Sequence, residues 1–128
     1  MPCPCGLARE YTQCCGRYHV GALHLQAPTP DALMRSRYSA YALGLREYVL
    51  DTWHASTRPE QTEQFDSGVK WLGLTIKRAW KTSPNEGFVE FVARNKALGG
   101  GPAQRLEELS RFVRVDGRWQ YVDAAASP

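Results

Sequence analysis

Cysteine is missing from residues 16–128, because all four cysteines of this 128-residue chain fall within its first fifteen positions. The chain also lacks any run of about 18 or more apolar residues, so we expect no transmembrane helix. No apolar segment of the kind found in secretory signals opens the sequence, and we therefore expect a cytoplasmic protein. In a reducing compartment, clustered cysteines are more often metal ligands than disulfides.

The chain also has little excess of positive over negative charge. The formal net charge is +3, and the 16 Lys and Arg residues are scattered rather than massed in one basic stretch. Nucleic acid is therefore not an expected partner, since proteins that bind it concentrate positive charge on one face. Hydrophobic residues make up 43% of the chain, which is enough to build the core of one domain.

The four cysteines have the spacing of metal ligands. Cys3 and Cys5 flank a proline, and Cys14 and Cys15 follow as an adjacent pair. A segment this short buries too little apolar surface to fold alone, whereas four thiolates around a metal ion can hold it together. A closed set of four soft ligands favours one structural zinc ion and leaves no position for a catalytic water.

Two alternatives to this zinc site stay open from the sequence. The cysteines can be free thiols, or Cys3 or Cys5 can form a disulfide with the second pair in an oxidising compartment, although a bridge between Cys14 and Cys15 would be strained. His19 lies four residues past Cys15 and can replace one of the adjacent cysteines at the metal. The set of four cysteines is the interpretation that we favour.

Residues 20–28 are predicted to be a linker that leads into two helices. Thr29, Pro30 and Asp31 form a helix start, since Thr caps the N-terminus, Pro suits the first helical position and Asp favours the first turn. Gly44 predicts the end of that helix, and residues 45–53 predict a second, short one.

From residue 69 the apolar period becomes that of β-strands. Leu72, Leu74 and Ile76 recur at every second position, which predicts that they share one face of a strand. Three further strands are predicted over residues 88–93, 104–115 and 118–123. Asp116 and Gly117 predict a tight hairpin between the last two. The fold class is therefore α+β, with helices on one face of a curved antiparallel sheet.

The cysteine segment resembles the SEC-C motif. Cys-Pro-Cys-Gly, followed by a Cys-Cys pair at residues 14 and 15, has the form of this small zinc-binding knuckle of bacterial proteins. The resemblance implies that Cys3, Cys5, Cys14 and Cys15 bind zinc. In the motor protein of bacterial preprotein translocation the knuckle docks an export chaperone. That partner is not carried over, because nothing else here resembles the translocase.

Most of the chain resembles the YchJ family of bacterial proteins. The matching segments are residues 33–41, 52–54, 56–59, 112–114 and 117–123. The resemblance implies a SEC-C knuckle over residues 1–19 and a nuclear-transport-factor-2-like cone over residues 29–128, which we expect to fold on its own core. The biochemical function of the family is unassigned, so the resemblance implies no activity.

Two charged residues are out of place in the predicted core. Arg37 falls among the apolar positions of the first helix, and Glu90 lies between Phe88 and Val92 on a predicted strand. A structural Arg37–Glu90 pair inside the cone is the interpretation that we favour, since an unpaired buried charge is costly. A guanidinium that reaches out to solvent and a ligand-binding role are the alternatives.

A second candidate site lies after the second helix, where Trp53 precedes His54 and Arg58 follows. A histidine beside an aromatic ring can act as a general base. No cysteine or aspartate stands at a triad spacing from it, so we favour His54 as a cap of the helix end and Arg58 as solvated. Four aromatic residues are expected in the core rather than in a pocket: Tyr38, Tyr41, Trp53 and Trp80.

These features favour a binding or interaction module rather than an enzyme. The knuckle would contact an unidentified protein partner, and the cone is a candidate site for a small ligand. The expected contacts of the knuckle are Arg9, Tyr11, Arg17, Tyr18 and His19. If a pocket exists, its candidate residues are Arg37, Tyr41, Trp53, His54, Arg58 and Glu90. The alternatives are a small cone-fold enzyme that uses Arg37, His54, Arg58 and Glu90, and nucleic-acid binding through the knuckle.

Overall fold

The computed structural model of the protein describes residues 1–59 and 69–124. Within those residues a 3-10 turn (Tyr11–Gln13) and three helices come first: α1 (Gly16–His19), α2 (Pro30–Leu43) and α3 (Arg46–Asp51). Four strands follow: β1 (Val69–Ser83), β2 (Glu86–Ala97), β3 (Gln104–Val115) and β4 (Arg118–Ala124). In this part of the chain, no helix is long and apolar enough to cross a bilayer.

The strands form one antiparallel sheet in the order β1-β2-β3-β4. The turn between β3 and β4 is the predicted hairpin, in which Asp116 and Gly117 take φ angles of 52° and 79°. Both angles lie in the left-handed region that two-residue hairpin turns require. The α+β class with helices packed on an antiparallel sheet is therefore confirmed.

Helix α2 begins and ends where the sequence predicts. The side chain of Thr29 accepts a hydrogen bond from the backbone N–H of Ala32 at 3.2 Å, and Pro30 occupies the first helical position. Gly44 ends the helix in a left-handed conformation, with φ of 74°. Helix α3 lies inside the predicted range of residues 45–53.

The prediction that Leu72 shares a face of β1 with Leu74 and Ile76 is wrong. The pairing with β2 shifts between Trp71 and Gly73, so Leu72 is a bulge and is 46% exposed. Trp71 faces the helices instead, where its ring contacts two tyrosines of α2. Leu74 and Ile76 pack against the core as predicted. One extra residue in a strand reverses the alternation of its side chains, and the apolar period alone does not reveal it.

The N-terminal segment shares the core of the domain. One cluster of buried residues joins the four cysteines to Leu33 of α2 and to Phe112 of β3. The end of the segment of residues 20–28 also packs on the domain, since Ala27 is buried and the carbonyl of Pro28 accepts a hydrogen bond from Trp119 Nε1 at 3.2 Å, whereas residues 20–24 are exposed. The boundaries at residues 19 and 28 stay a prediction, but the packing across them is continuous.

Candidate metal centre and cavity

The four cysteines converge in the interior of the N-terminal segment. Their Sγ atoms all lie within 4.8 Å of one another, and the most exposed of the four residues is 6% accessible. No disulfide joins them. The sulfurs of Cys5 and Cys14 are 3.7 Å apart. A tetrahedral ion with metal–sulfur bonds of about 2.3 Å separates its ligands by about 3.8 Å, so the donor set fits a metal ion.

Two glycines allow the chain to bring the two cysteine pairs together. Gly6 turns the chain after the first pair with φ of 92°, a conformation that other residues rarely adopt. Gly16 is the first residue of α1, and a Cβ atom there would lie 2.7 Å from the carbonyl oxygen of Tyr11. The absence of a side chain at Gly16 therefore lets the 3-10 turn pack against α1.

The pKa values of three of the crowded thiols are shifted in opposite directions. A hydrogen bond from Cys15 lowers the pKa of Cys5 to about 4, and that bond raises the pKa of the Cys15 thiol that donates it. Burial raises the pKa of Cys14 to about 11. Without a cation, Cys5 is thus favoured as a thiolate and Cys14 and Cys15 as thiols, whereas a bound metal ion would favour thiolates.

His19 is not a member of this cluster. Its Nε2 atom lies 2.8 Å from the carbonyl oxygen of Ser36, and its Nδ1 atom pairs with the hydroxyl of Tyr11. Because a carbonyl can only accept, Nε2 carries the proton and the Tyr11 hydroxyl donates to Nδ1. Both ring nitrogens are thus occupied, and the alternative in which His19 replaces a cysteine does not match the structure.

The expected contact surface of the knuckle is partly wrong. Tyr18 and His19 are only 6% and 5% exposed, because α1 packs against the domain. The ring of His19 meets the ring of Tyr48 edge-on, with centroids 4.6 Å apart. Arg9 is exposed, and Tyr11 and Arg17 are half-buried. A four-residue helix is too short to show an apolar period, so sequence reasoning had no signal for this burial.

Helix α2 supplies the surface on which the cysteine segment lies. Ser39 Oγ is 3.5 Å from Cys3 Sγ, and Arg35 Nη1 donates to the carbonyl oxygen of Cys5 at 3.0 Å. Ser36 and Ser39 are fully buried. Sequence reasoning missed these residues. Two serines three positions apart, on the side of a helix away from its apolar stripe, are the signal that pointed to a second packed face.

A cavity of about 520 Å³ lies between α2 and the sheet. Six aromatic rings line it: Tyr38, Tyr41, Trp53, Trp71, Phe91 and Tyr121. Tyr38, Tyr41 and Trp53 were expected in the core rather than in a pocket. Tyr38 is a member of the buried core and Tyr41 and Trp53 pack against it, but all three also line the cavity. Trp80 is exposed and stacks on Phe88 instead, with ring centroids 5.5 Å apart.

The strand pairing orders the cavity from an open to a closed end. Asn95 of β2 pairs with Gln104 at the start of β3, where Gln104 is exposed and Asn95 is half-buried. Leu106, two residues further along β3, is 43% exposed. Glu108 comes next on the same face, and Ser110 beyond it is fully buried. The open end therefore lies near Gln104 and the closed end near Ser110.

Arg37 lies at the closed end and is only 4% exposed. Its Nη1 atom donates to the carbonyl oxygen of Val49 and to Thr52 Oγ1, both at 2.8 Å. Its Cζ atom lies 5.1 Å and 4.7 Å from the ring centroids of Trp53 and Tyr121. Burial lowers the pKa of Arg37 below its ordinary value. A carbonyl, a hydroxyl and two aromatic rings thus hold this cation in place.

The predicted Arg37–Glu90 pair is wrong. Glu90 is adjacent to Phe91, which faces the cavity, so its side chain lies on the other face of the sheet. There Glu90 Oε1 accepts a hydrogen bond from Arg78 Nε at 2.9 Å. The apolar neighbours of Glu90 suggested an inward position, but the outer face of β2 also carries the buried Val92.

The carboxylate that does line the cavity is Glu108 of β3. Its Oε2 atom accepts a hydrogen bond from Ser110 Oγ. Sequence reasoning missed this residue. The signal was the alternation on β3, where Leu106, Glu108, Ser110 and Phe112 follow one another on a single face and place an acid between an apolar residue and two buried ones.

Three of the six pocket candidates line the cavity: Arg37, Tyr41 and Trp53. The other three do not: His54, Arg58 and Glu90. His54 does not cap the helix end, because its Nδ1 accepts from the backbone N–H of Ser56 at 3.1 Å. Arg58 is exposed and donates to the carbonyl oxygen of Trp53. The residues expected for a cone-fold enzyme are therefore not brought together.

Comparisons with known proteins agree with this architecture. The family model described as "YchJ, middle NTF2-like domain" matches residues 29–124. The UPF0225 protein of Bordetella pertussis is 54% identical over 121 residues, covering 94% of this chain and 90% of the relative. The UPF0225 protein of Chromobacterium violaceum is 58% identical over 124 residues, covering 94% of this chain and 89% of the relative.

Two solved structures share the fold. The solution structure of a SEC-C motif containing protein from Rhodopseudomonas palustris is 33% identical, with a TM-score of 0.87 over 100% of both chains. The crystal structure of a SEC-C motif containing protein from Psychrobacter arcticus is 28% identical, with a TM-score of 0.80 over 100% of this chain and 85% of that one.

Proposed function

This chain belongs to the YchJ family, and from that premise we propose that it is a zinc-stabilised binding protein whose cavity takes up a small molecule. The observation that carries the proposal is the cavity of about 520 Å³ under α2. Its volume lies within the range of small-molecule sites, and its lining of aromatic rings with a few polar groups has their composition. A buried arginine at its closed end is a specific polar feature of the kind that orients a ligand.

The proposed metal is one zinc ion held by Cys3, Cys5, Cys14 and Cys15. Four buried thiols with sulfurs within 4.8 Å of one another are a soft, closed donor set. Such an ion would supply structure and not catalysis, because four protein ligands leave no position for water. Elemental analysis of the purified protein should find one zinc per chain and none in Cys5→Ser. Folded wild-type protein without zinc would contradict the proposal.

A protein partner for the knuckle is not the function that we place first. Tyr18 and His19 are buried against the domain, so the expected contact set is reduced to Arg9, Tyr11 and Arg17. Interfaces are anchored by aromatic and arginine side chains that can be desolvated by the partner. A half-buried tyrosine and two arginines are a weaker basis for a proposal than a formed cavity.

Ligand-observed NMR with indole as the probe tests the cavity. Ala93 is buried and lines the cavity, so Ala93→Phe should fill it and weaken indole binding by about tenfold or more. Ala97 is exposed at the end of the same strand, so Ala97→Phe is the matched control and should bind indole as the wild type does. Equal indole signals from all three proteins would show that the cavity is not the binding site.

A further inference from the structure

Two opposite charges line the cavity without meeting each other. Arg37 and Glu108 both contribute to its lining. Among the described residues, no salt bridge joins either side chain to a group of opposite charge. Glu108 nevertheless acts on Arg37 electrostatically, since it opposes the lowering of the Arg37 pKa by burial. The two charges therefore share one cavity and do not form an ion pair with each other.

Each of the two side chains is hydrogen-bonded to another group of the protein. The hydrogen bonds of Arg37 to Val49 and Thr52 come from Nη1 alone, so within the described part of the chain its Nε and Nη2 donors have no acceptor. Glu108 is tied to Ser110 through Oε2. A buried guanidinium without a carboxylate partner is costly, and a ligand that contacts both Arg37 and the partly buried Glu108 would remove that cost.

The sign of each charge restricts the ligand. A ligand with only a carboxylate would pair with Arg37 but would be repelled by Glu108. A ligand with only an ammonium group would pair with Glu108 but would be repelled by Arg37. A molecule that carries both a carboxylate and an ammonium group satisfies the two residues together. Trp53 adds a further donor at this end, because its Nε1 is buried and has no acceptor among the described residues.

The rest of the cavity restricts the remainder of the ligand. Between the charged end and the open end the lining consists mainly of aromatic rings and aliphatic side chains, including Phe91, Ala93 and Leu106. Burial raises the pKa of Tyr121 to about 12, so its hydroxyl stays neutral at physiological pH and adds no charge. Beyond its charged head, the ligand therefore meets an apolar surface.

Resting on the proposed function, we propose that this cavity binds a small zwitterion of the amino-acid class with an apolar side chain. The carboxylate of the ligand pairs with Arg37, its ammonium group pairs with Glu108, and its side chain lies among the aromatic rings toward the open end. No covalent step is involved.

Three probes that share a phenyl ring separate the contributions of the two charges. L-Phenylalanine carries both charges, 3-phenylpropionate only the carboxylate, and 2-phenylethylamine only the amine. We expect calorimetry at pH 7 to give L-phenylalanine an affinity about tenfold higher than that of either other probe. If 3-phenylpropionate or 2-phenylethylamine binds as well as L-phenylalanine, the zwitterion proposal is overturned.

The indole experiment distinguishes this failure from failure of the proposed function. If indole binds and L-phenylalanine does not, the cavity is a binding site for a different class of ligand and only the zwitterion proposal falls. If neither indole nor any of the three phenyl probes binds, the proposed function falls with it.

Glu108→Gln tests the ammonium contact directly. Gln keeps the shape of Glu and removes its charge, so L-phenylalanine should bind this variant about tenfold more weakly while 3-phenylpropionate binds no worse. Glu107→Gln is the matched control, since Glu107 is exposed on the other face of β3 and pairs with Lys77 and Arg105. If the ratio of the affinities for L-phenylalanine and 3-phenylpropionate is the same in Glu108→Gln as in the wild type, the proposal is overturned. If that variant does not fold, the probe series on the wild type decides.

Discussion

The Sγ atom of Cys3 lies 3.5 Å from the Oγ atom of Ser39, in the second half of α2. Arg37 and Tyr41, two residues before and after Ser39, line the cavity instead. At about 100° per residue, these positions fall on a different side of the helix from Ser39. Helix α2 therefore carries the contacts of the cysteine cluster on one side and the cavity lining on another. A shift of the helix at the cysteine cluster would also move the residues that line the cavity.

Removal of the proposed metal ion should lower the stability of the whole domain and not only that of the first nineteen residues. The four cysteines belong to the same buried cluster as Leu33 and Phe112, so their loss of order exposes the core of the domain. We expect a chelator to lower the free energy of unfolding by about 3 kcal/mol or more. Circular dichroism of the sheet during thermal unfolding measures this. An unchanged midpoint with chelator would contradict the prediction.

Gly16→Ala should destabilise the cysteine segment by steric conflict. The new Cβ atom would lie 2.7 Å from the Tyr11 carbonyl oxygen and 2.8 Å from its ring, and Tyr11 is held by its hydrogen bond to His19. We expect a loss of about 2 kcal/mol in chemical denaturation and weaker metal retention. In Gly99→Ala, the control, no described atom lies within 4 Å of the new Cβ, and the change should stay within about 0.5 kcal/mol.

Features decided by a few neighbouring residues could be predicted from the sequence. The cap at Thr29, the stop at Gly44 and the hairpin at Asp116 and Gly117 depend on local backbone chemistry, and the structure has all of them. The fold class followed from the change of apolar period near residue 69. The cysteine cluster followed from spacing, because a short segment must bring its ligands together to use them.

Features decided by register and tertiary packing could not be predicted. A bulge at Leu72 reversed the start of β1, and the inward carboxylate proved to be Glu108 and not Glu90. Both errors concern which face of a strand a side chain occupies, and a shift of one residue changes that face. The burial of His19 depends on a contact with α2 that is distant in sequence.

His19 should make the protein less stable in mild acid. Burial lowers its pKa below the ordinary 6.5, so the unfolded state binds a proton more readily than the folded state. The contribution of His19 to the free energy of unfolding is therefore complete above about pH 6.5. It is lost as the pH falls below that value, by at most about 1.4 kcal/mol per pH unit. Denaturation with urea at pH 7.5 and pH 5.5 measures the loss.

The His19 contribution can be isolated with two variants. His19→Gln cannot be protonated and can still donate to the Ser36 carbonyl, so its stability should depend less on pH than that of the wild type. His54→Gln replaces a histidine that is hydrogen-bonded to Ser56, and this variant should keep the wild-type dependence. Metal content is measured at both pH values, because acid also protonates thiolates. Equal pH dependence in wild type and His19→Gln would show that His19 is not responsible.

The two sides of α2 predict a thermodynamic coupling between metal and cavity ligand. If metal binding holds Ser39 and Arg35 against the cysteine segment, it also fixes the side of α2 that lines the cavity. Chelated protein should then bind indole more weakly, by about fivefold or more. Because coupling between binding equilibria is reciprocal, saturating indole should raise the apparent metal affinity by the same factor in a competition with a chelating dye.

In Ala93→Phe, whose cavity is filled, indole should leave the metal affinity unchanged. A metal affinity that does not respond to indole in the wild type would mean that α2 transmits nothing between the two sites.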